Sequence, residues 1–263
     1  MFDSTNIYEN RLFILNQELL GVESVDLSYT NSAVVSNILG RNSSFTSIGG
    51  AASQQLSVSR NLIYIDPIYS YIDGRAVSAD LVYNNKSCGF SNGYLTEYMV
   101  NCAVGSIPKV STNFVVFDEV ITKETFPVQD GEIPTIYIPN QGSISLICDY
   151  SSTNRVIGFD YAVKISKKAI YVVGDKNPYE VVTVAPTQYS ASVQIDVDDA
   201  FLQNSFEFLT IRQYKTVEFS IKDRTLTNAI QTLSIPNASL VSERLSSSAD
   251  GGIKLTLNFI GHS

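Results

Sequence analysis

Apolar and polar residues alternate with period two at "SVDLSYT" (24–30), "SVQIDVD" (192–198) and "IKLTLNF" (253–259). Successive side chains of a strand point to opposite faces, so this pattern predicts strands with one face buried. "NFVVFDEV" (113–120) and "AIYVVG" (169–174) are continuous apolar runs, which predicts strands covered on both faces. "GYLTEYMVNCAVGSIP" (93–108) reads as two short strands joined by small residues. Tyr94, Leu95, Tyr98 and Val100 are expected to fill one sheet face, and Gly105 and Pro108 to turn the chain. Glycine, asparagine and proline punctuate the chain at intervals close to the ~8–12 residues of sandwiches and barrels. One segment changes period. In "DVDDAFLQNSFEFLTIRQYK" (196–215) Asp198 or Asp199 can cap a helix that carries Phe201, Leu202, Phe206 and Leu209 on one face. "NLIYIDPIYSYIDG" (61–74) holds the equivalent place earlier in the chain, but it is shorter and Pro67 interrupts it.

The chain also repeats itself. "VESVDLSYTNSAVVSNILGR" (22–41) lies over "VIGFDYAVKISKKAIYVVGD" (156–175) without a gap, with Asp26 on Asp160 and Gly40 on Gly174, both 134 positions apart (160 − 26 and 174 − 40). "YLTEYMVNCAVGSIPKVSTNFVV" (94–116) resembles "SLVSERLSSSADGGIKLTLNFIG" (239–261) at an offset of 145 (259 − 114). Two matched segments in the same order point to duplication of one unit. Residues 120–142, "VITKETFPVQDGEIPTIYIPNQG", hold three prolines, two glycines and several acids, as a connector would. The expected organisation is therefore a domain over 11–120, a linker over 121–142 and a second domain over 143–263.

Composition agrees with sheet. Of 263 residues 44% are hydrophobic and 17% charged, enough for a core, with 15 Tyr, 13 Phe and no Trp. The net charge of −8, with no basic run interleaved with aromatics, excludes a stable grip on nucleic-acid phosphates. No basic n-region opens the chain and no apolar run approaches the ~20 residues of a membrane span, so neither a secretory signal nor a membrane partner is expected. Cys88, Cys102 and Cys148 have no paired spacing, which predicts buried reduced thiols rather than disulfides or zinc ligands.

Little catalytic vocabulary is present. The one histidine, His262, sits next to the C-terminus, where a mobile side chain is expected and a catalytic triad is not. No phosphate-cradling glycine motif occurs; "SIGGAAS" (47–53) reads as a loop between strands. The acids of "DVDD" (196–199) suit a helix start and lack the glycine and distal glutamate of a calcium hand. Asp118 and Glu119 point oppositely if they lie on a strand. Neither catalytic residues nor a cofactor are expected, and the protein reads as a non-enzyme.

The succession "LFILNQELLGVESVDLSY", "RNLIYIDPIY", "GFSNGYLTEYMVNCAVGSIP" and "STNFVVFDEV", followed by "STNRVIGFDYAVKISKKAIYVVG", resembles the tail-tube-type structural proteins of tailed bacteriophages over nearly the whole chain. The resemblance implies a mainly β fold of two tandem tail-tube-like sandwich or barrel domains. Each would have two packed antiparallel sheets and at most one flanking helix. It implies self-association into trimeric pseudo-hexameric rings or hexameric rings that stack into a tube, together with other tail proteins. DNA would pass through the lumen without specific binding. The location implied is the virion tail, assembled in the cytoplasm of a bacterial host. Loops at Asn42, Ser44 and Phe45 and at Asn177, Pro178 and Tyr179 are the implied contacts between rings. Two readings stand beside it: a tail hub, baseplate or tube-capping protein of the same fold, and a two-domain carbohydrate-binding adhesin module.

Overall fold

The computed structural model describes residues 11–30, 33–37, 44–48, 53–83, 86–117, 121–123, 136–149, 151–172, 177–197, 212–223, 225–226, 228–248 and 252–263. The chain is mainly β and antiparallel throughout its principal sheet. Its first half contains β1 (Arg11–Ile14), β2 (Gln17–Glu18), β3 (Val22–Thr30), β4 (Ala33–Asn37), β5 (Ser44–Ile48), β6 (Ser53–Asn61), a 3-10 helix (Pro67–Asp73), β7 (Ala76–Tyr83), β8 (Lys86–Ala103) and β9 (Lys109–Val116). A short β10 (Ile121–Lys123) follows and pairs with β8 at Ser87–Gly89, inside the segment expected to be a connector. The second half contains β11 (Ile144–Cys148), β12 (Ser151–Thr153), β13 (Val156–Lys164), β14 (Lys167–Ile170), β15 (Glu180–Thr183), β16 (Gln188–Val197), β17 (Gln213–Lys222), β18 (Ala229–Ser248) and β19 (Gly252–His262).

Strand order in the first half is β2-β1-β7-β8-β9-β6-β3, and in the second β12-β11-β17-β18-β19-β16-β13, element for element the same. The bulges coincide too. Val22/Ser24 on β3 matches Val156/Gly158 on β13, at the offset of 134 (156 − 22). Leu95/Glu97 on β8 matches Leu240/Ser242 on β18, at 145 (240 − 95). A bulge adds a residue to one strand and so resets which face each later side chain takes. On β8 it lets Leu95 and Tyr98, three apart, both face the core. The stretch 93–103 is thus one strand; Gly105, at φ 82°, then turns the chain into β9, a conformation that favours glycine.

Period-two burial is clean on β16 (Ala191, Val193, Ile195, Val197) and β19 (Leu255, Leu257, Phe259). The core is one cluster running through both halves. β13 and β17 lie four steps apart along the sheet, yet Phe159 and Phe219 stack at 4.9 Å between ring centroids. The sheet therefore folds over and packs against itself as a sandwich. "AIYVVG" departs from expectation. Ile170, Tyr171 and Val172 are exposed, because β14 pairs only with β15 in a hairpin outside the main sheet.

Pro67 starts a helix instead of breaking one. It occupies the first turn, where proline needs no N–H acceptor, and the Asp66 carboxylate caps the Ile68 N–H at 2.8 Å. The helix anticipated after Asp198 lies outside the described residues. The short helix carries a buried polar network. Asp66 forms a fully buried ion pair with Arg60 of β6 and accepts from the Tyr98 hydroxyl at 2.7 Å. Its backbone N–H donates to Gln231 Oε1 on β18 at 2.9 Å. The Ser234 N–H donates to the Tyr69 hydroxyl at 2.9 Å, and the Tyr161 hydroxyl donates to the Ser234 carbonyl at 2.9 Å. These bonds tie the helix of the first half to β13 and β18 of the second.

Removing one partner of a buried ion pair leaves an uncompensated charge, at a cost of about 3–5 kcal/mol. Asp66→Ala is expected to lose stability on that scale, and Tyr98→Phe, which deletes one hydrogen bond, about 1 kcal/mol. Urea unfolding of the two variants against the parent measures both.

Candidate assembly edges

The two halves become one sheet where β13 pairs with the second part of β8. Gly158 faces Ala103, Asp160 faces Asn101, Tyr161 faces Val100 and Lys164 faces Glu97. Strand β8 can do this because it is long. Residues 86–94 pair with β7, and 97–103 then take β13, while β9 holds the opposite edge. Gly158 permits the close approach, since a Cβ there would lie 3.0 Å from the Cys102 carbonyl oxygen. Under the junction Tyr98, Val100, Cys102, Phe159, Tyr161 and Val163 are all buried. On the solvent face the Asn101 amide donates to Asp160 at 2.5 Å, and Lys164 pairs with Glu97 at 3.5 Å.

The same two strand types recur elsewhere in the sheet with one edge open. Among the described residues β3 pairs only with β6, and the 242–248 part of β18 pairs only with β19. Their apolar side chains are correspondingly open. On β18, Leu245 is 64% exposed where the matching Val100 of β8 is 1% exposed. On β3, Tyr29 is 51% exposed, and Leu27 is half-buried where the matching Tyr161 is buried. Unpaired edges with exposed apolar residues are pairing sites unless they are blocked, and neither β3 nor the 242–248 part of β18 contains proline or lysine.

A shallow concavity of about 490 Å³ crosses the solvent face of β8, β13, β16 and β19. Its surface groups include Asn101, Asp160, Ser190, Ser192 and Asn258, with Met99 and Ile260 as exposed apolar members. Its aromatics, Tyr161 and Phe259, are buried rather than displayed as a sugar platform.

Of the expected ring contacts, Asn177, Pro178 and Tyr179 immediately precede β15, at the end of the β14–β15 hairpin away from its Lys167–Thr183 base. The Tyr179 N–H donates to the Ile170 carbonyl at 2.8 Å, and its ring is 77% exposed. Ser44 and Phe45 begin β5, paired with Asn37 and Ser36 of β4; Asn42 lies outside the described residues. The base of the β14–β15 hairpin is clamped to the first half. Lys167 Nζ donates to the Gly74 carbonyl and to Thr183 Oγ1, both at 3.0 Å, and lies over the Tyr94 ring. Burial lowers the Lys167 pKa, against the opposing pull of Asp73.

His262 is in β19, facing Gln188, and is exposed; it belongs to an ordered strand rather than a mobile tail. Its backbone carbonyl accepts from Asn237. Asp196 pairs with Lys254 of β19, whereas Asp198, Asp199, Asp118 and Glu119 lie outside the described residues. Among the described residues no three His, Cys, Asp or Glu side chains come together as a metal site would require. No helix among them is long and apolar enough to cross a membrane. No protein-family model matches the chain, and no curated protein matches it.

The three thiols are free, with Cys102 and Cys148 buried. Burial pushes both up to about 12 from an ordinary 9.0, and burial likewise raises Tyr98 and Tyr161 well above 10.0. These groups are neutral in the folded chain and ionise more readily once unfolded. Their stabilisation is complete below about pH 9 and is lost as pH rises toward 12. The urea midpoint is expected to hold from pH 7 to 8.5 and to fall steadily above pH 9. A midpoint flat to pH 11 would contradict this burial.

Proposed function

We propose that this protein is a virion structural protein of a tailed phage, a subunit of the tail tube whose rings stack into a DNA-conducting channel. The observation that carries the reading is that β3 and the 242–248 part of β18, the counterparts of the two strands that join the halves, each keep one open edge among the described residues. Two such different edges can satisfy each other by a head-to-tail contact between copies, and contacts of that kind close into rings where the rotation between copies allows it. With two like sets of strands per chain, three copies would supply six sets and six copies twelve. Ring closure would pair the two edges that carry exposed apolar residues and so guard them against uncontrolled association.

Two further features support it. The concave face offers serine, asparagine and one carboxylate, with Lys109 at its rim. A lumen wall of this kind does not collect phosphates by counterion release, so DNA slides instead of binding. The exposed apolar residues of the β14–β15 hairpin, with Tyr179 at the end away from its base, suit contact with the next ring. The corresponding contact from the first half involves Asn42, Ser44 and Phe45. The terminal rings would meet other tail proteins, with assembly in the bacterial cytoplasm.

The test is the solution mass of the purified protein over a concentration series, with electron microscopy of the largest species. Rings of three or six copies, and stacks of them, are expected; a monomer at every concentration overturns the reading. Tyr179→Ser is expected to shorten or abolish stacks while single rings persist in the same micrographs.

A further inference from the structure

We propose that β3 of one copy pairs with β18 of the next in the register that β13 and β8 hold within a single chain. The inference rests on the ring reading only in taking a second copy as the partner. Its residue-level content comes from the repeat inside this chain. Because β3 corresponds to β13 at an offset of 134, and β18 to β8 at 145, each pair across the internal junction maps onto one pair between copies. Tyr161–Val100 becomes Leu27–Leu245, Asp160–Asn101 becomes Asp26–Ser246, and Ala162–Met99 becomes Ser28–Arg244.

The chemistry fits this register. Leu27 and Leu245 would cover each other on the face where Tyr161 and Val100 are buried. On the solvent face the Ser246 hydroxyl replaces the Asn101 amide as a donor toward a carboxylate in the same place, Asp26 for Asp160. Arg244 stands one diagonal step from Asp26, within reach of an ion pair. A slip of one residue would turn Leu27 and Leu245 to opposite faces, so the apolar pair selects the register.

The contact between copies is not a full equal of the internal one. Thr30 and Ser242 replace the ion pair of Lys164 with Glu97, and Glu243 stands where Tyr98 joins the buried network. Each ring would therefore alternate a strong junction inside the chain with a weaker one between chains. Dilution separates copies without opening the sheet of any one of them.

Single-cysteine variants Ser28→Cys and Arg244→Cys test the register, since both side chains are exposed and neither change disturbs the core. Directly opposed antiparallel residues have Cα atoms about 4.5–5.5 Å apart, within disulfide range, whereas a slip of two residues adds about 7 Å along the strand. The variants are oxidised with copper–phenanthroline separately and mixed, beside the parent protein, which reports any linkage through Cys88. The expected result is a 28–244 disulfide, identified by peptide mass, in the mixture and in neither variant alone. The double variant then gives a ladder ending at the number of copies per ring. Cross-links of 28 to 28 or 244 to 244 overturn the proposal and the head-to-tail contact beneath the ring reading, whereas rings in the microscope with no 28–244 linkage overturn the proposal and leave the ring reading intact. A 28–244 linkage in open filaments upholds the register and overturns the ring reading. No linkage and no species above monomer overturns both.

Discussion

Backbone donors and acceptors in a sheet must be paired or left to water, and strand β8 shows how this chain meets that constraint. Its eighteen residues serve β7 and then β13 along one edge while β9 and β10 hold the other. The junction with β13 converts two sets of seven strands into one sheet and buries both of its neighbours' apolar faces. Strand β18, built on the same plan, has no second partner for its last seven paired positions among the described residues. The asymmetry between the two strands is the clearest physical reason to look for the missing partner in another copy.

The buried network around Asp66 secures the relation between the halves. Apolar packing alone tolerates small shifts of one layer over another, whereas hydrogen bonds at fixed distances do not. Arg60, Asp66 and Tyr98 come from three elements of the first half, and Gln231 and Ser234 from one strand of the second. The matching positions of the second half are Ile195 for Arg60 and Glu243 for Tyr98, so this lock is made once. Such a lock holds the two halves of the chain as a rigid pair.

The strands carrying "SVDLSYT", "SVQIDVD" and "IKLTLNF" and the buried faces of β16 and β19 were legible in the sequence, since each depends on period two. The exposure of "AIYVVG" was not: a continuous apolar run reads as doubly covered whether or not anything covers it. His262 and Pro67 were misplaced for a related reason. Nearness to a terminus and a proline within an apolar stretch are local signals, and pairing with Gln188 and capping by Asp66 override them.

What the sequence by itself determined is therefore the class of structure and which face is buried along its alternating strands. Period two tells which side of a strand a residue takes, and that information is carried by neighbours in the chain. Only the tertiary structure decided which edges are filled, that Arg60 and Asp66 are buried against each other, and that Leu245 is open where Val100 is closed. Those outcomes depend on hydrogen bonds between strands tens of residues apart, and no local pattern records which strand will supply the partner.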